Sequence, residues 1–342
     1  MWRDFAVISV LTFAFNAVAP ILLQVALGYM LKRTGLFTKE FLRIANRFNF
    51  HYCLSVMLFC NIYSLDSVAN IDWRMALFVL AALAALTLLG LLLARFATSR
   101  RDRRGVLAQA AFRSNFAIIG LPVVAALGTP GALATAAAMQ APSVIYFNLM
   151  AVVVLTVYSE GEKGLDWRKM LAGIGKNPLI RGLGLGFLAL CLREFIPRTA
   201  DGALVFSLSG SLPWLYSAMQ SVSRIATPLA LIVLGGQFEF GDMRTVGREL
   251  ILGTAVRLLG APAVGFALAF AAAAMGFIDI SAGTVGVLIA IFGTPTAVSS
   301  VVMAGEMGAD DVLAGQLVVW TTLGSVFTLF IIIAGFRFVG LL

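Results

Sequence analysis

The chain has 342 residues, of which 60% are apolar and 12% charged, with a formal net charge of +8. Soluble globular chains carry about 25% charged residues, so a soluble fold is excluded. Nucleic-acid binding is excluded as well, because the cations lie in short connections between long apolar runs.

Those runs approach the ~20 residues that cross a bilayer and predict ten spans. The first, 8–31, is too long for a signal-peptide core and ends on Lys32-Arg33, so it is read as a membrane helix. The second, 42–63, is unusually polar, with Asn46, Asn49, Asn61 and the lone histidine, His51. The third, 73–94, carries small residues from Ala81 to Ala85 that suit close helix contact. The fourth, 106–127, contains Arg113-Ser114-Asn115 and then Gly120-Leu121-Pro122. The fifth, 133–157, holds Pro142, Tyr146 and Asn148. A connection from Ser159 to Lys176 follows, read as a linker, with some amphipathic character between Leu165 and Ile174. The sixth, 177–195, opens on Pro178 and carries Gly182, Gly184 and Gly186. The seventh, 212–236, holds Arg224 and Pro228, and the eighth, 249–273, holds Arg257 and Pro262. The ninth, 284–305, contains Gly293-Thr294-Pro295, and the tenth covers 313–336. Cys53, Cys60 and Cys191 all fall inside spans, in odd number and without zinc spacing, and read as packing residues.

Cations fix an expected orientation. Seventeen Lys and Arg side chains fall in the first, third, fifth and seventh connections, against five on the other side. The positive-inside rule puts the seventeen in the cytoplasm and both termini outside the inner membrane. The ninth connection, Glu306 to Asp311, runs against this trend because it is acidic.

An outside N-terminus and ten spans suggest two five-span halves of opposite topology, 1–158 and 177–342, joined by the linker 159–176. The Pro20 to Gly28-Tyr29 offset matches that of Pro178 to Gly186-Phe187, and Gly120-Leu121-Pro122 matches Gly293-Thr294-Pro295. Mid-span prolines remove a backbone donor and free a carbonyl. In hydrocarbon this is tolerated where protein or a watery cavity covers the gap. Pro122 and Pro295 therefore mark two broken helices at corresponding places, the best sequence pointer to a transporter's site.

No aspartate or glutamate sits near the middle of any span, whereas Arg113, Arg224 and Arg257 lie inside spans. A charge at such depth faces the protein interior. An interior with arginine and no carboxylate favours an anion, which Asn115, Thr294, Ser299 and the inward N-termini of the half-helices would also serve. Arg224 is the most central of the three arginines. His51 is the side chain best suited to couple protons near neutral pH, although a hydrogen-bonded structural role is the commoner use of such a histidine. No phosphate-cradling loop, metal cluster or nucleophile triad occurs, so no enzyme, cofactor or metal is expected.

Arg113-Ser114-Asn115-Phe116 with Gly120-Leu121-Pro122-Val123 resembles the Arg-x-Asn-Phe…Gly-Leu-Pro-Val stretch of the bacterial auxin efflux carrier family, and Thr294-Pro295 through Val302 resembles its ninth helix. Leu27-Gly28-Tyr29, Asn177-Pro178-Leu179-Ile180, Pro228-Leu229-Ala230-Leu231 and the Arg257…Pro262 spacing add to the likeness, and Ser55 departs from it where the family has proline. The resemblance implies an all-α membrane protein of two inverted repeats with crossing helices four and nine. It also implies a scaffold of helices one, two, six and seven, an elevator-like moving unit from the rest, a homodimer, and small organic anions such as malonate, malate or auxin as substrates. Asn115, Gly120, Pro122, Thr294, Pro295 and Ser299, with Arg113 or Arg224 for charge, are the expected substrate residues. A sodium-coupled carrier of the bile-acid type and an anion-binding sensor or channel are the competing readings.

Overall fold

The computed structural model describes residues 19–64 (except 21), 72–129, 132–159, 175–197, 204–238 and 246–342. Among these the regular structure is helical, and no strand is formed. Helix α1 covers 22–33. Helix α2 runs over Lys39–Phe48, a π-turn at Asn49–Cys53 and Leu54–Tyr63. Helices α3 (Trp73–Ala97) and α4 (Arg101–Phe112) follow. Helix α5 starts as a π-turn, Phe116–Gly120, and continues over Leu121–Leu127. Helices α6 (Ala132–Ser159), α7 (Pro178–Arg193) and α8 (Pro213–Gln237) come next. Helix α9 runs over Gly247–Ala255, a π-turn at Val256–Gly260 and Ala261–Ala274. Helix α10 runs over Ala282–Leu288 into a π-turn at Ile289–Gly293, and α11 (Ser299–Glu306) and α12 (Asp311–Phe338) close the chain.

The ends of these helices follow from local chemistry. Thr38, Asp72, Asn177, Ser281 and Asp310 each accept a first-turn N–H, which satisfies one of the donors a helix start leaves free. Pro178 stands at the first position of α7, where its missing N–H is of no consequence. Gly128, at φ 67°, ends α5 in the left-handed conformation that glycine adopts without strain.

Among the described residues, five helices are long and apolar enough to cross a membrane: Trp73–Ala97, Ala138–Tyr158, Pro213–Gln237, Gly247–Ala274 and Asp311–Phe338. Phe116–Leu127 and Ala282–Gly293 are apolar but shorter. Leu77, Leu88, Leu92 and Phe96 on α3 stay exposed, as a lipid-facing surface requires. The protein is thus a polytopic helical membrane protein. The amphipathic part of the linker expected over 165–174 lies outside the described residues.

Two groups of helices pack on glycine. In the first, Gly28 seats α1 on the Ile232–Gly236 backbone of α8, and Gly235 seats α8 on Val25. Gly182 and Gly186 seat α7 on the Ser55 and Phe59 backbone of α2. Asn49 joins the two pairs by donating to the Ala226 carbonyl at 2.9 Å. In the second, Gly90 of α3 lies on Ala108 of α4, and Gly286 of α10 lies on Ala132 of α6. Small residues let backbones approach this closely, and in lipid that dispersion contact drives association.

Candidate functional site

The fourth and ninth apolar runs are both interrupted, and the interruptions meet. Between α4 and α5, Arg113 is extended and the helix resumes after Asn115; between α10 and α11, Thr294 is extended ahead of Pro295. The two pass each other antiparallel, with Ser114 opposite Thr296. Asn115 N–H donates to the Pro295 carbonyl at 2.8 Å, and Ala297 N–H donates to the Arg113 carbonyl at 3.2 Å. These bonds satisfy main-chain groups that the breaks expose at membrane depth. Thr296 N–H is held by Thr321 Oγ1 of α12 at 3.1 Å.

The first break does not fall at Pro122, as the sequence pattern suggests. It lies at Arg113–Asn115, and Pro122 sits, exposed, near the start of the Leu121–Leu127 helix. The proline removes one N–H inside α5, directly after the π-turn Phe116–Gly120, where the ordinary i to i−4 ladder is already interrupted. Pro295, by contrast, is buried within the second break and supplies its carbonyl to the crossing. The two Gly-x-Pro motifs are therefore not equivalent in the structure. Gly120 matters through its packing: a Cβ there would come 2.9 Å from the Ala290 carbonyl oxygen of α10.

A cavity of about 80 Å³ lies between the crossing and the first helix group. Arg113, Asn115 and Ser299 line it from the crossing, Asn148 from α6, and Asn61 and Thr227 from α2 and α8. The Arg113 guanidinium is buried. It donates to Gln109 Oε1, Asn148 Oδ1 and Ser299 Oγ, each at 2.9 Å, and also reaches the Met303 sulfur. All four partners are neutral. Asn148 is held in turn by the Val144 carbonyl at 2.8 Å. The Asn115 side-chain nitrogen and the Ser114 and Thr296 hydroxyls are buried without partners. Buried polar groups are normally satisfied, and each exception calls for a reason.

Thr294 is fully buried but turns away from the cavity: its hydroxyl donates to the Ala290 carbonyl at 2.8 Å, and its own carbonyl accepts from Arg257. Arg224, expected to supply charge here, is exposed on α8 and bonds to Gln220 at 3.4 Å. Its distance from the ends of the span set its depth, and its position around the helix carried it away from the crossing. His51 is exposed as well, on the outer side of the α2 π-turn, with Nδ1 3.0 Å from the Arg47 carbonyl. It lines no part of the cavity. Asn61 and Asn148 stood out in the sequence as polar residues in apolar spans; Thr227 and Gln109 carried no such signal. Among the described residues no group of His, Cys, Asp and Glu is placed to hold a metal.

At the end of the bundle that carries the basic connections, Arg103 bonds Asp310 at 2.8 Å and Glu249 at 3.0 Å, and Arg100 bonds Asp102 at 2.5 Å. The acidic ninth connection is thus anchored to cations of the third. Asn46 of α2 reaches Glu306 at the end of α11 at 3.2 Å, linking the two helix groups.

The model of a protein family described as membrane transport protein matches residues 13–168 and 203–333 of the chain. No curated protein matches it.

Proposed function

We propose that this chain, which belongs to the auxin efflux carrier family of membrane transport proteins, is a secondary transporter that carries a small carboxylate such as malonate or malate through the crossing of its two broken helices. The observation that carries this reading is Arg113. A buried guanidinium with only neutral partners keeps a charge for which burial gives no compensation. A carboxylate in the adjoining cavity would supply it, and the unpaired Asn115 amide is a ready second donor. The cavity is far below the ~300–1,000 Å³ of drug-sized sites, which favours a short acid over an indole-containing one.

Ten crossings in two inverted repeats, 1–158 and 177–342 about a linker at 159–176, form the architecture of this proposal. Exchanged packing supports it: α1 of the first repeat seats on α8 of the second, and α7 of the second seats on α2 of the first. Helices α1, α2, α7 and α8 are the scaffold in this reading, and the remainder moves past them as an elevator. The cavity, lined from both groups, would open to alternate sides as the moving unit slides. The basic connections face the cytoplasm, the membrane is the inner membrane, and the carrier works as a homodimer.

Uptake of malonate, malate and indole-acetate into proteoliposomes tests the proposal. Saturable uptake of a short dicarboxylate is expected. Asn115→Ala removes one charge-assisted hydrogen bond of about 1.5–3 kcal/mol, roughly 10- to 100-fold in apparent affinity. If no acid moves, or if Asn115→Ala behaves as the unaltered protein does, the site is misplaced.

A further inference from the structure

A second buried guanidinium lies on the other side of the crossing. Arg257 extends from the α9 π-turn and is fully buried. Nε donates to the Thr294 carbonyl at 2.8 Å and Nη1 to the Ala111 carbonyl at 3.1 Å. Nη2 donates to the carbonyls of Ile291 at 2.8 Å and Phe292 at 3.1 Å. Ala111 belongs to the last turn of α4, and Ile291 and Phe292 to the last turn of α10. One side chain thus collects carbonyls from the C-terminal ends of both interrupted helices. Those ends carry unsatisfied acceptors and the negative pole of the helix dipole. Brought together at membrane depth, they repel each other and attract a cation. In carriers built on broken helices, such carbonyls are what coordinate a coupling ion.

We infer that Arg257 is the positioning residue of the crossing: a tethered cation that holds both helix ends in register and stands where a dissociable cation would otherwise bind. The inference deepens the carrier reading but does not depend on the substrate's being an anion. Arg257 differs from Arg113 in its partners. Arg113 bonds side chains beside a cavity, whereas Arg257 spends four of its five N–H donors on main-chain carbonyls and lines no part of that cavity. The π-turn adds one residue to the helical turn that bears Arg257, a distortion common at functional positions.

The test is thermal unfolding of the purified full chain, with no substrate present, in choline chloride, sodium chloride or millimolar guanidinium chloride at equal ionic strength. The unaltered protein should give the same Tm in all three. Arg257→Ala should lose several degrees in choline and recover part of the loss in guanidinium or sodium, because the freed carbonyls then take a cation from solution. Arg257→Lys should fall between the two and above Arg257→Gln, which keeps an amide donor but no charge. Sodium stabilising the unaltered protein would overturn the inference, as would a Tm for Arg257→Ala that is unshifted or is insensitive to guanidinium and sodium. If Arg257→Ala does not fold, the Lys and Gln variants decide: equal Tm values would show that charge is not what the site requires. None of these readings involves an organic acid, so failure here is distinct from failure of the uptake assay.

Discussion

Arg113 donates to two amides and a hydroxyl, acceptors that the oxygens of a carboxylate can replace. Its charge, not its fit to the protein, is what its position leaves over. Arg113→Gln should therefore abolish high-affinity binding, a loss of about 10- to 100-fold for each charged hydrogen bond removed. Its Tm should not fall by a comparable amount, because the change also removes the desolvation cost of a buried charge that has no ionic partner. A titration of acid binding beside a melting curve separates these effects. At this scale the sequence was informative about depth and silent about direction. Arg113, Arg224 and Arg257 all lie well inside apolar spans, yet only two face the crossing. The face a side chain occupies depends on how helices are rotated, and the π-turns in α2, α5, α9 and α10 shift that rotation in a way no periodicity reveals.

Interrupted helices are the elements on which the account turns, and at Gly120 one packs closely on the other. A methyl group there would stand 2.9 Å from the Ala290 carbonyl oxygen and 3.0 Å from its Cβ. Gly120→Ala should force α5 and α10 apart, costing about 1–3 kcal/mol as overpacking does. A lower Tm and slower uptake would both follow, and an unchanged melting curve would show that the crossing yields easily. That two helices are broken was legible from their prolines and the polar residues around them. Where the first is broken was not. A proline can sit inside a helix beside a π-turn as Pro122 does, and the non-helical residues were the polar Arg113, Ser114 and Asn115, eight residues upstream of Pro122 at the middle one.

For the whole molecule, the ionic cluster at the basic end ties α4, α9 and α12 into one body. Arg103 and Asp310 have side chains only 7% and 8% exposed, and breaking the pair leaves the buried Arg103 with Glu249 as a remaining carboxylate. Asp310→Asn keeps the cap on Leu313 but removes the charge, and should cost about 1.5–3 kcal/mol in unfolding measurements, because Glu249 still faces Arg103. Beside the pair, the Arg100 hydrogen bond holds the Asp102 carboxyl below its ordinary range. A depressed carboxyl stabilises the fold fully above its unfolded value of ~3.9 and loses that contribution as pH falls through the folded value. The stability difference between the unaltered protein and Asp102→Asn should therefore be constant above about pH 4 and shrink below it. The helical membrane class was plain from composition and span length. The cluster was not, because Arg103 and Asp310 stand 207 residues apart and the acidic loop alone reads as a departure from the charge pattern.

The most direct measurement is the Tm of the purified protein across a panel of short carboxylic acids and their neutral amides, repeated with Asn115→Ala. A ligand that binds the native state must raise apparent stability, by about 2.7 kcal/mol at a hundred times its Kd. At least one acid should stabilise the unaltered protein while its amide does not, and Asn115→Ala should lose the response. Stabilisation by the amides as strongly as by the acids, or by an acid equally in both proteins, would contradict an anion seat at the crossing.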